Sequence, residues 1–286
     1  MTPVRKALGW WAGLAAEVDD WHALCLMTLF ILVRYSSFGD QVQAAYACLL
    51  AVALLFRRVI DTQGFWFTVL LAVALPVANN WWAPGGHTFL LLYWICAVFL
   101  SFSARDPRVM LAVSGRYLIG TSFLFAALWK LISPEFTDGT ALRYFMTTMI
   151  PIGVTTQLLT GLTQDQLQHN IQVITELLKQ SSTVTVPLIK PPHIALTAEV
   201  FTRATQVTEV ALAAVFLAPL APRQVVWRDV ALIFFFVSAY SVLPVPSFAV
   251  LLACIGFASA SSSVTRSFFL LAFFLWQVVT LPFGSG

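Results

Sequence analysis

Long apolar runs broken by short polar turns recur along the whole chain. They do not alternate with period two, and they exceed the roughly ten-residue strands of a membrane barrel, so the pattern predicts helices. The predicted apolar helices are Trp21–Val33, Val42–Phe56, Phe65–Asn80, Thr88–Phe102, Arg116–Trp129, Glu199–Leu220, Val230–Leu243, Phe248–Ala260 and Ser267–Phe283. Several fall short of the ~20 residues of an ideal span, which fits tilted, partly buried or re-entrant segments. Ahead of them, Thr2 to Val18 joins Arg5 and Lys6 to Leu8, Trp10, Trp11, Leu14 and Val18. Such an amphipathic, Trp-rich segment suits the membrane plane, and Asp19 or Asp20 is placed to cap the helix that follows. Residues 1–20 are therefore expected to form an interfacial segment, and residues 21–286 a transmembrane domain.

The longest polar stretch lies between Leu131 and Ala198. Within it, Leu167, Ile171, Ile174 and Leu178 recur at helical spacing in Thr163–Ser182. Thr163 and Gln166 have the spacing of a capping box. An amphipathic helix over the membrane face or over a cleft is predicted. The connector after it, Ser181 to Pro192, carries Pro187, Pro191 and Pro192 and should be extended.

Composition turns these helices into a fold class. The 286 residues are 59% hydrophobic and only 10% charged, with mean hydropathy +0.83; a soluble domain carries roughly 25% charged residues. The expected class is all-α: a polytopic integral membrane bundle of about eight or nine transmembrane helices plus the amphipathic helix on the exterior face. A net charge of +3, spread along the chain, does not suggest nucleic acid as a partner; membrane lipids are the expected surroundings. Cys25, Cys48, Cys96 and Cys254 lie in separate apolar runs, with neither metal-ligand spacing nor a disulfide framework, so no metal is expected. No cleavable signal peptide is expected in Met1 to Asp20.

The basic residues set the expected orientation. With a cytoplasmic N-terminus, Arg5, Lys6, Arg57, Arg58, Arg105, Arg108, Arg116, Arg223, Arg228 and Arg266 fall on the cytoplasmic side. Arg34, Lys130, Arg143, Lys179 and Lys190 fall on the other, and Arg203 lies inside a span. That asymmetry is the positive-inside bias. Residues 131–198 then face the exterior, and a bacterial inner membrane is expected in preference to an organelle.

Ionisable groups at membrane depth are costly, and they point to function or to pairing inside the bundle. The span from Glu199 holds Glu199, Arg203, Gln206 and Glu209. Glu199 and Arg203, four apart, are placed to pair; an ion pair that fixes helix packing and a site role are both open. Asn79, Asn80, Trp81, Trp82 and His87 lie on the same side as Lys130. The Trp pair suits the aromatic belt, whereas the two Asn and His87 could cap helices or add polar groups to a cavity beside Lys130. Lys130, next to Trp129 at the end of an apolar run, is either a snorkelling anchor or a basic group held over a site at the membrane surface. Phosphate-binding loops, the Gly-x-Ser-x-Gly elbow, His-Glu-x-x-His and CxxC are not found.

The stretch Tyr117–Met146 is where a family resemblance enters. Ala126, Ala127, Lys130, Leu131, Phe136, Asp138, Gly139, Ala141 and Tyr144 follow an apolar helix, Lys-Leu, a polar gap, an aromatic, Asp-Gly and a second apolar helix. This layout resembles the HTTM family, the membrane domain shared with vitamin K-dependent gamma-carboxylases, which usually has Trp at the place of Phe136. Asn79, Asn80 and His87 resemble the Asn-rich end of the family's preceding hairpin, and Glu209 resembles an acidic residue of its next helix. The resemblance implies Lys130 as a base toward a quinone or hydroquinone, or another lipid, with Glu209 and His87 as further catalytic groups. It implies Asn79, Asn80, Asp138 and Tyr144 as cofactor-binding residues, and Arg203, on the polar stripe of the span that starts at Glu199, is a further cofactor-binding candidate. A Lys acting as a base must be neutral, which calls for a dry pocket.

The family often carries Phe-His in the span matching Val230–Leu243; here Ser238 and Tyr240 are the polar candidates instead. The carboxylases also carry a large lumenal domain, and this chain ends at Gly286, so peptide carboxylation by this chain alone is not expected. Short HTTM proteins include the membrane component of the sporulation-delaying toxin maturation system, which implies peptide maturation with other subunits or a soluble partner. The other reading is a non-catalytic subunit that anchors a larger membrane complex. There, Asp138 would cap the helix from Thr140 and Gly139 would permit the tight entry. A transporter is the third reading, but no inverted repeat or matched pair of broken helices supports it.

Overall fold

The computed structural model describes residues 20–35, 38–82, 85–149, 156–179, 187–221, 224–242 and 245–279. The N-terminal amphipathic segment, the start of the Ser181–Pro192 connector and the end of the last predicted span lie outside them. Every described element is helical. Each predicted apolar run lies in a helix: Asp20–Tyr35, Asp40–Leu55, Gln63–Asn79, Gly86–Ser101, Pro107–Ile132, Ile194–Leu217, Val225–Val242, Pro246–Ser259 and Ser263–Val279. Two of these, Pro107–Ile132 and Ile194–Leu217, are long and apolar enough to cross a membrane by length and composition.

The largest boundary difference is at the fifth helix, which starts at Pro107 and not at Arg116. The reason is local. The Asp106 carboxylate accepts from the Arg108 and Val109 amides at 3.0 and 3.2 Å, and Pro107 occupies the first helical position, where its missing N–H costs nothing.

The described residues divide into two compact units. The first comprises residues up to Ser122, Val215–Ile233 and the residues from Val245 onward. Its centre is Pro246–Ser259, where every residue from Ala249 to Phe257 is buried. Two glycines allow close approaches within this unit. A Cβ on Gly256 would lie 2.8 Å from the buried Phe269 ring, and one on Gly120 would lie 2.8 Å from Leu217. Several polar groups inside the unit are tied off. The Trp94 indole donates to the Thr28 hydroxyl at 3.0 Å, and that hydroxyl donates to the Leu24 carbonyl at 2.9 Å. The Trp66 indole donates to the Ile60 carbonyl at 2.9 Å. His22 sits 3.6 Å from the Asp61 carboxylate.

The buried Arg228 and Asp229 form an adjacent pair in the same unit. The guanidinium also donates to the Ser259 carbonyl at 2.8 Å. Asp229 accepts from Arg228, the Ser261 amide, the Ser261 hydroxyl and the Thr265 hydroxyl. Ser262 and Thr265 cap the last helix reciprocally.

The second unit comprises Phe123–Ala214 and Phe234–Pro244. It holds the polar excursion. Leu142, Met146, Ile194 and Ala198 form a small core, with Phe145 and Phe201 packed on it. The predicted amphipathic helix is Gln164–Lys179, and its capping box forms: Thr163 and Gln166 exchange hydrogen bonds at 3.1 and 3.3 Å. Its inward face differs from the aliphatic stripe expected. Leu167 and Asn170 are buried, whereas Leu178 is exposed. Asn170 donates to the Thr147 and Ile189 carbonyls and accepts from the Ile189 amide at 2.9 Å. One amide side chain thus fastens the helix to the segment before it and the connector after it.

Candidate site around Lys130 and Glu209

Lys130 lies in the last turn of Pro107–Ile132. A helix end leaves carbonyls without intrahelical partners, and here side chains supply them. Gln206 donates to the Lys130 carbonyl at 3.2 Å, and the Thr137 hydroxyl reaches the same oxygen at 3.4 Å. The chain then turns: Ser133 bonds Glu135 at 2.7 Å, and Pro134 opens the short helix Pro134–Thr137. The turn carries Phe136 back so that the Lys130 ammonium lies 6.0 Å from its ring centroid.

The Lys130 ammonium donates to the Glu209 carboxylate. Glu209 is only 6% exposed, and its second oxygen, Oε2, is buried with no hydrogen-bond partner among the described residues. Arg203, Gln206 and Glu209 step along one helix at intervals of three, so they stay near one face. Arg203 reaches Gln206 at 3.4 Å. The pairing expected between Glu199 and Arg203 is not formed: both are exposed, and Arg203 turns toward Gln206. The buried Tyr240 meets the rings of Phe235 and Phe236 at 5.7 and 5.1 Å.

Asp138 and Gly139 build the entry to Thr140–Thr148. Gly139 has φ 75°, in the left-handed region that favours glycine. The Asp138 carboxylate accepts from the Thr140 amide at 2.8 Å, which holds its pKa below the usual carboxylate value. Glu135 is likewise held low, by the Ser133 hydroxyl. Arg143 donates to the Asp138 carbonyl at 3.0 Å. Tyr144 is exposed on the same short helix and meets Phe145 edge to face.

The predicted site residues therefore fall into three groups. Lys130 and Glu209 are brought together, with Arg203 linked through Gln206. Asp138 and Tyr144 belong to the same unit but form the turn and helix that follow Lys130. Asn79, Asn80 and His87 belong to the other unit: Asn79 and Asn80 are exposed at the end of Gln63–Asn79, and His87 is half-buried in the first turn of Gly86–Ser101. Two sets of residues went unsingled in the sequence. Asn170 is one polar residue among many in a polar helix, and no signal marks it. Arg228-Asp229 did carry a signal, adjacent opposite charges at the start of an apolar helix.

Among the described residues, fold and site define an all-helical protein with two helices long and apolar enough to cross a membrane and a pair between the part-buried Lys130 ammonium and the buried Glu209 carboxylate. No protein-family profile, curated protein or solved structure matches the chain.

Proposed function

We propose that the chain is a polytopic integral membrane protein, HTTM-like in its central motif, and that Lys130 and Glu209 form a proton-handling pair at a lipid-accessible site. The carrying observation is the lone Oε2 of Glu209. A buried carboxylate oxygen without a donor costs roughly 1–3 kcal/mol or more, and a ligand hydroxyl would satisfy it. Such a hydroxyl fits a hydroquinone or a related lipid-soluble alcohol, so the residues present suit the group that the HTTM resemblance implies. A bound hydroquinone would supply reducing equivalents and an acidic hydroxyl. The chain's own part is to accept the hydroxyl proton at Glu209 and to hold the resulting oxyanion with the Lys130 ammonium, while Phe136 screens that ammonium from solvent.

Membrane embedding is supported by exposure. Only 28% and 33% of the apolar windows in Pro107–Ile132 and Ile194–Leu217 are buried inside the protein. Core helices of a soluble protein bury most of their apolar residues, whereas here Phe125, Trp129, Ile132 and Val207 all stand outward. The apolar runs and the Arg distribution support several spans and a cytoplasmic N-terminus, and the proposal places them in a bacterial inner membrane.

The second reading, a non-catalytic subunit that anchors a complex, is favoured by the Asp138–Gly139 turn, whose hydrogen bonds already explain both residues structurally. The two are separated by reconstituting the protein in proteoliposomes with a naphthohydroquinone and following its oxygen-dependent oxidation. Lys130→Ala and Glu209→Gln are expected to abolish turnover in protein that still folds, although with a lowered melting temperature. Full activity in a folded Lys130→Ala variant would sink the catalytic proposal.

A further inference from the structure

Ile194–Leu217 carries four threonines. Three of their hydroxyls bond back along the chain: Thr197 to the His193 carbonyl at 2.9 Å, Thr205 to the Thr202 carbonyl at 2.9 Å and Thr208 to the Ala204 carbonyl at 2.7 Å. That is the ordinary habit of a helical threonine. Thr202 departs from it. Its side chain is buried, at 3% exposure, and its hydroxyl has no hydrogen-bond partner among the described residues. Thr202, Gln206 and Glu209 follow at i, i+4 and i+7, so they share one face, and all three are buried. The stripe thus begins and ends on an oxygen without a partner, the Thr202 hydroxyl and Glu209 Oε2. Its Thr202 end lies beside the polar turn that follows Lys130: a Cβ on Gly139 would stand 3.6 Å from the Cα of the exposed Glu199.

We propose that this face is the route by which the proton taken up at Glu209 leaves for the polar surface beside Glu199. The proposal rests on the reading of Lys130 and Glu209 as a proton-handling pair, a role that can repeat only if Glu209 is emptied after each cycle. The alternatives are poorer. One carboxylate oxygen is engaged by the Lys130 ammonium, and beyond Glu209 the same face continues with the buried, apolar Ala213. Side chains on a helix lean toward its N-terminus, so Glu209 leans along the stripe toward Gln206 and Thr202. Seven residues at about 1.5 Å each separate Thr202 from Glu209 by roughly 10 Å. No single hydrogen bond spans that distance, and bridging water completes the chain. Glu209 gives its proton to the nearest water. The Thr202 hydroxyl, an acceptor and a donor at once, takes one proton and passes on its own. A proton then emerges at the surface as Glu209 returns to the carboxylate. Gln206 holds the Lys130 carbonyl at 3.2 Å and is met by Arg203 at 3.4 Å, so it keeps the stripe in register with Lys130, while Thr202 is the relay.

Cysteine accessibility tests the route without any substrate. The full chain carrying Thr202→Cys is purified in detergent and treated with a small, charged methanethiosulfonate, and the labelled peptide is identified by mass, so the native cysteines stay in place. The thiolate is the reacting species and forms where water reaches the sulfur. Thr202→Cys is expected to label at least about tenfold faster than Ala213→Cys, on the same face beyond Glu209. Equal rates, or no label at position 202, would overturn the proposal. Turnover gives the second readout, in the naphthohydroquinone assay. Thr202→Val should slow oxidation about tenfold or more, formate as a small proton carrier should restore the rate, and Thr202→Ser should keep it. Valine has the shape of threonine and the hydroxyl it removes has no partner, so Thr202→Val should melt at or above the wild-type temperature. A lower melting temperature would overturn the proposal by giving that hydroxyl a structural bond. Wild-type turnover in Thr202→Val beside an inactive Glu209→Gln would overturn the route and leave the pair standing, whereas turnover kept in Glu209→Gln would sink the pair and the route together.

Discussion

Replacing Lys130 and Glu209 singly and together separates a coupled pair from two independent charges. The Lys130 side chain is 20% exposed and that of Glu209 only 8%. Removing one partner of a buried ion pair costs about 3–5 kcal/mol, because the other charge is left uncompensated. The better-buried carboxylate suffers more, so Lys130→Met should lie near the upper end, about 4–5 kcal/mol, with both Glu209 oxygens then unsatisfied. Glu209→Leu should lie near ~3 kcal/mol, since the Lys130 stem can carry its head toward water. The Gln206 bond to the Lys130 carbonyl survives both changes, so the losses stay local. The double variant, which removes both charges, should return close to wild type, because a buried pair replaced by apolar residues is often neutral or stabilising. The measurement is reversible unfolding in mixed micelles, followed by tryptophan fluorescence, for the four proteins of the cycle. If the single losses add to within ~0.5 kcal/mol in the double variant, the two groups do not interact and the pair has no functional meaning.

Three further outcomes follow from the packing. Gly256→Val would press side-chain carbons into the Phe269 ring, already 2.8 Å from where a Cβ would stand, and should cost about 2–3 kcal/mol by overpacking; a denaturation midpoint equal to wild type would show that helix contact to be loose. Asn170→Ala strips partners from the Ile189 amide and two carbonyls and should cost about 2–3 kcal/mol, with limited proteolysis expected at the 180–190 connector well before global unfolding. Acid should loosen the entry to Thr140–Thr148. Asp138 titrates below its ordinary value because it accepts from Thr140, so its contribution is present above the unfolded pKa and is lost as pH falls through the folded one. Exchange protection of the Thr140 amide should then drop in that acid window in wild type but stay flat in Asp138→Asn.

Helix positions were legible because apolar runs with turn residues between them leave few alternatives. The fifth helix begins at Pro107, well before the predicted Arg116; apolar periodicity weakens across the Arg108–Arg116 turns, and the signal that does mark the start is the Asp106-Pro107 cap. The partner of Lys130 was only half legible. Glu209 stood out as an acid inside an apolar helix, but nothing local says that a residue 79 positions away meets it. Asn170 was invisible, since periodicity ranks aliphatic residues and the tie it makes is a polar one. The division into two units was equally hidden: Pro107–Ile132 contributes to both, and no composition break marks the boundary at Ser122.

The chain contains an internal standard for what a structural acid looks like. Asp229 is buried as deeply as Glu209, yet both of its oxygens are occupied: one by the Arg228 guanidinium, the other by an amide and two hydroxyls. A fully satisfied network of this kind fixes helix positions and has nothing left to offer a ligand. Glu209 has a comparable partner in Lys130 on one oxygen, and the other oxygen is sealed from solvent without a donor. Stability alone would favour closing that gap, as Ser261 and Thr265 do for Asp229. The polar side chains near Lys130 do not close it: Gln206 donates to the Lys130 backbone and Arg203 to Gln206. If the proposed function holds, a ligand hydroxyl would complete Glu209 Oε2, a place that the fully occupied Asp229 does not offer.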